Sequence, residues 1–142
     1  MKENVGGAAA APGMDAAIDR AARMTACRRA TDNAPAPLAD LSMVGWLHGE
    51  FERECRVDDP VERRRMFVFI FALLYAPAAL AGRRLPHGMR QALSSAVPEV
   101  APCRLSCHLP EAAWEFAHYR TFRDEAARLA GVLGARACGR AR

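Results

Sequence analysis

Residues 66–81 hold no charged side chain, and the first ten of them, 66–75, are apolar or aromatic on every face of a helix. A helix that is hydrophobic all round has to lie at the centre of a core or inside a bilayer, because no face of it suits water. The bilayer reading is the weaker one. Sixteen residues fall short of the roughly 18 to 20 that span a hydrocarbon core, and Pro77 interrupts them. Arg65 and Arg83 flank the two ends, so no asymmetry of positive charge sets an orientation. The run therefore predicts a central helix around which the rest of the chain packs, and no membrane partner. Its start is marked by Asp59, which can cap the first amides. Pro60 loses nothing at the first helical position, and Glu62 stands three residues after the cap.

With 142 residues the chain is long enough for one real core. No extended Val/Ile/Thr alternation of the kind strands require occurs, so the sequence predicts an all-α fold: a single compact domain of four or five helices. Residues 1–13 are poor in large apolar side chains and are expected to form a disordered arm. Residues 14–37 read as a short helix and a Pro-rich linker, 38–133 as the helical domain, and 134–142 as a basic flexible tail weakened by Gly134 and Gly139. Within the domain, Leu41, Val44, Leu47 or His48, Phe51 and Cys55 recur at three- and four-residue steps. Gly82 is placed to end the turn after Pro77 in a left-handed conformation. Pro110 is expected to open a last long helix striped by Trp114, Ala117, Phe122, Ala126, Leu129 and Leu133.

Charge is divided unevenly along the chain. Up to Gly82 there are ten Lys+Arg against eleven Asp+Glu; from Arg83 onward there are ten against five, for a net charge of +4. A basic C-terminal part suits phosphate backbones, and it equally suits a solvated surface. Five cysteines without a secreted spacing pattern, and an N-terminus without an export signal, point to a reducing compartment and a cytoplasmic protein.

Residues 82–109 carry the one pattern with recognisable chemistry. Met89, Ala92, Leu93, Ala96 and Val97 stripe a first helix over 86–97, residues 98–102 make a proline-bounded turn, and a short second helix follows over 103–109. This is the layout of a helix-turn-helix, in which the start of the second helix reaches base edges in a major groove. On that reading Arg104, Ser106 and His108 face the bases, and Arg83, Arg84 and Arg90 are placed for phosphates. A plain helical hairpin explains the same stripe. The turn holds Val97-Pro98 where a small residue is usual, and Pro110 is expected to cut the second helix short.

Tyr75-Ala76-Pro77, Leu80-Ala81-Gly82, Pro86 with Gly88, Arg90 and Ala92, and Tyr119 with Phe122-Arg123 together resemble a family of small helix-turn-helix-like proteins of bacterial phages and mobile elements. The resemblance spans roughly residues 51–129 and implies a helical, DNA-associated accessory protein.

Other chemistry is thin. Cys103, Cys107 and His108 invite a metal reading, but structural zinc wants four ligands and the sequence supplies no second pair at a suitable spacing. Enzyme motifs are missing from the sequence, and Asp58, Asp59 and the acids at 50, 52 and 54 read as a helix cap and a solvated face. The expectation is a non-enzymatic protein without cofactor or metal that binds double-stranded DNA. The alternative is a helical protein-interaction module with no nucleic-acid role, possibly homodimeric.

Overall fold

A computed structural model describes residues 37–140, the side chains of Pro102 and Ser106 aside. The expected arm, the first short helix and most of the linker lie outside these residues. The described chain is all-α. A 3-10 turn, Leu41–Met43, leads into α1 (Val44–Glu54), followed by α2 (Pro60–Tyr75), the single turn α3 (Pro77–Leu80) and α4 (His87–Ala96). A second 3-10 turn, Pro102–Arg104, leads into α5 (Leu105–His118), and α6 (Arg120–Arg140) closes the fold.

The central helix is α2. Asp59 caps it, its carboxylate accepting from the Glu62 amide at 2.9 Å, and every residue from Met66 to Tyr75 is buried. Fully burying one such large side chain is worth about 1.5–3 kcal/mol, so this helix holds the largest share of the core. It packs against α3, α5 and α6. Phe69 stacks on Phe116 of α5 with ring centres 4.5 Å apart and meets Phe122 of α6 edge-on at 6.2 Å. On the other side Phe51 of α1 meets Phe67 edge-on at 5.2 Å. Where α2 ends, the Leu38 amide donates to the Leu74 carbonyl at 2.8 Å and the Tyr75 hydroxyl to the Asp40 carbonyl at 2.8 Å. These two bonds tie the entering chain to the core. No helix among the described residues is long and apolar enough to cross a membrane.

Three expectations from the sequence need correction. Pro110 neither ends nor starts a helix: it sits inside α5. Proline in a helix interior loses one backbone bond and crowds the carbonyl four residues back. Here Leu105, Ala112, Ala113 and Phe116, buried on both sides of it, hold the helix together across that defect. The break falls instead at Tyr119, whose backbone is extended (φ −110°, ψ 112°). The step of six residues from Phe116 to Phe122 would turn a continuous helix by about 240° and put the two rings on different faces. Breaking at Tyr119 lets both reach Phe69.

The third correction concerns the flexible tail. Residues 134–140 continue α6 as helix. Gly134 and Ala137 are buried, and a Cβ at Gly134 would stand 3.3 Å from the Leu74 side chain, so glycine allows close approach where it was expected to fray the helix. Arg136 reaches Glu50 and Glu54 of α1 at 3.1 and 2.9 Å, and the Arg140 guanidinium lies 4.8 Å over the Trp46 ring.

Candidate nucleic-acid interface

The turn after α3 explains why arginines come to the surface at 83 and 84. Gly82 adopts φ +97°, a conformation that costs a side chain with a Cβ about 1–2 kcal/mol. The Gly82 and Arg83 amides donate back to the Ala79 and Ala78 carbonyls at 3.2 and 3.1 Å, which closes the turn on the last carbonyls of α3. Leu85 is then buried and anchors the segment to the core, and Arg83, Arg84, Pro86 and His87 on either side of it are exposed. Pro86 precedes the first residue of α4, and no acid stands in that helix's first turn.

Arg90, one turn into α4, folds back so that its Nε donates to the Leu85 carbonyl at 3.5 Å. His87 pairs with Gln91 at 3.2 Å. Arg84, Leu85, His87 and Arg90 line one shallow pocket of about 310 Å³. The sequence from Arg63 to Pro98 holds no Asp or Glu, and the positive end of the α4 dipole points the same way.

The structure divides the six residues singled out from the sequence. Arg83, Arg84 and Arg90 gather at the start of α4. Arg104 and His108 follow α4 in the chain, in the second 3-10 turn and in α5, and neither lines the pocket of Arg84, His87 and Arg90. Arg104 is exposed in the second 3-10 turn; Ser106 stands in the first turn of α5, and its side chain is outside the described set. His108 is half-buried, and its Nδ1 is buried without a hydrogen-bond partner. Burial pushes its pKa down; Arg65, Arg104 and Arg64 push the same way, against Glu111. Both effects favour the neutral imidazole over a second cation beside Arg104.

The expected helix-turn-helix pairing is also loosened. α4 packs mainly on α1 and the two 3-10 turns, and α5 mainly on α2 and α6. His87 belongs to the basic pocket and was not singled out in the sequence. Its signal was the i, i+3 spacing to Arg90 on one helical face. Arg64, which bears on His108, was equally hidden among three consecutive arginines. Cys103 and Cys107 are exposed thiols, and among the described residues no group of three or more His, Cys, Asp or Glu gathers to hold a metal ion. Comparisons with protein-family models, curated proteins and solved structures found no match to this chain.

Proposed function

We propose that this protein is a small DNA-associated accessory protein that grips the phosphate backbone through the corner at residues 82–90. One observation carries the reading: Arg83 and Arg84 stand exposed beside the pocket of Arg84, His87 and Arg90, in a stretch of sequence without acids. Several arginines elsewhere, Arg63, Arg65, Arg128 and Arg136, are held by carboxylates. Cationic corners of this kind position a protein on a duplex without reading its sequence. Arg104 adds a separate contact where an extended duplex also reaches the second 3-10 turn. The phage-like resemblance and the reducing-compartment cysteines agree with a cytoplasmic accessory role, and no catalytic step is assigned.

The test is duplex binding across a salt series for the native chain, for Arg83→Ala with Arg84→Ala, and for Arg104→Ala. The double variant is expected to flatten the salt dependence by about two phosphate contacts, and the single one by about one at most. No binding at low salt, or a double variant that binds like the native chain, sinks the proposal. A helical protein-interaction module is the second reading, favoured by the exposure of Tyr119 at 49%.

A further inference from the structure

Two large apolar side chains stand exposed among the described residues, Val61 at 43% and Tyr119 at 49%. Tyr119 lines a groove together with Arg65 of α2. Val61 lies one helical turn before Arg65 and so on the same face of α2. Arg65, Pro110, Glu111, Trp114, Glu115 and Tyr119 line this groove of about 370 Å³. Trp114 is stacked on His118 at 4.3 Å and meets Tyr119 edge-on at 5.2 Å, so the aromatic wall is built from rings packed on one another.

The groove's charge is unbalanced. Arg65 bonds Glu115 at 2.7 Å and Glu111 at 3.1 Å, one cation between two carboxylates, and the Glu111 side chain remains half exposed. The residue after Tyr119 supplies the opposite sign. Arg120 is 85% exposed, and its contact with the Asp124 carboxylate is long at 3.7 Å, an exposed pair of the kind worth little. The patch thus presents an acidic aromatic groove and, directly beside it, an aromatic ridge that carries a cation. A surface that holds both halves of a complementary pair side by side meets its match in a copy of itself turned by a two-fold axis.

We infer that the protein forms a two-fold homodimer through this face, with Tyr119 and Arg120 of each copy seated in the groove of the other. Arg120 then faces the partner's Glu111, and the two Tyr119–Trp114 clusters pack against one another. Tyrosine, tryptophan and arginine are the side chains that dominate the energetics of such contacts. The inference is independent of the DNA reading, because neither Glu111 nor Arg120 belongs to the corner at residues 82–90.

Sedimentation equilibrium on the full chain tests it with two charge reversals, Glu111→Arg and Arg120→Glu. The native chain is expected to dimerise at micromolar concentrations. Each reversal alone sets like charges face to face and is expected to weaken the dimer by about a hundredfold. An equimolar mixture of the two variants restores both opposite-charge contacts in a heterodimer, so it is expected to sediment as a dimer again. That recovery also requires both variants to be folded. A native chain that stays monomeric, reversals that leave the dimer intact, or a mixture that stays monomeric overturns the inference.

Discussion

Arginine does opposite work in two parts of this molecule. Around the end of α1, Arg63 from α2 donates to the Val57 carbonyl at 2.6 Å, to the Glu52 and Cys55 carbonyls at 3.2 and 3.4 Å, and to the Glu52 carboxylate at 2.7 Å. Arg128 from α6 reaches the Glu54 carbonyl at 2.8 Å and Glu125 at 2.9 Å. The last carbonyls of a helix have no partner within it, and here two arginines from other helices supply the donors. At residues 82–90 the same side chain stands exposed at Arg83 and Arg84, in a segment without acids. An arginine surrounded by carbonyls and carboxylates acts as structure; one kept apart from acids keeps its charge for a partner. Sequence composition counts both alike, which is why the net charge of +4 says so little about where a ligand binds.

Arg63 offers the sharpest way to break that contrast. It is mostly buried, and its guanidinium also lies 5.8 Å over the Phe51 ring. Arg63→Ala leaves several carbonyls and the Glu52 carboxylate without their donor, and about 2–3 kcal/mol of stability is expected to go with it. Urea unfolding at neutral pH measures this. A loss under about 0.5 kcal/mol, the range of ordinary surface changes, would show that the arginines around α1 are decoration.

The next effect is one of pH. The Arg128 side chain holds Glu125 below the usual carboxylate range, helped by the Arg56 amide at 2.8 Å and opposed by partial burial. A carboxylate with a lowered folded pKa stabilises the fold above its unfolded pKa of about 4.3. That contribution disappears as pH falls through the folded value. His108 acts higher on the scale. Its folded pKa is lowered by burial, so the unfolded chain takes up the proton first, and stability starts to fall as pH drops below about 6.5. Melting temperature against pH is therefore expected to decline in two stages. Glu125→Gln is expected to shrink the lower stage, to which Asp40, held down by its hydrogen bonds from Ser42, also contributes, and His108→Gln to remove the upper. A lower stage unchanged in Glu125→Gln, or an upper stage unchanged in His108→Gln, contradicts the assignment.

These two groups also show what could be read from the chain before its structure. The Asp59 cap, the buried run after it and the left-handed Gly82 rest on neighbours within a few residues, and a local pattern is enough to find them. The arginines around α1 join residues far apart in sequence, 74 positions for Arg128 with the Glu54 carbonyl and 86 for Arg136 with Glu50, and no periodicity announces such pairs. The break at Tyr119 is intermediate: no glycine or proline marks it, but the six-residue step between Phe116 and Phe122 held the signal. At the candidate site, Arg83, Arg84 and Arg90 were legible as a basic cluster next to a glycine turn. Their separation from Arg104 was not, because it follows from α4 packing on α1 and α5 packing on α2.

The smallest expected effect belongs to the exposed corner and completes the contrast with Arg63. Arg83 and Arg84 have exposed side chains, and the turn that carries them is held by backbone bonds and by buried Leu85. Replacing both with alanine removes no donor from a buried acceptor, so stability is expected to stay within about 0.5 kcal/mol of the native chain even as duplex affinity falls. Urea unfolding and salt-dependent binding on one preparation measure both quantities. If the double variant loses stability in step with binding, the corner is a structural clamp like the one around α1, and its free charge is no longer a reason to assign it a partner.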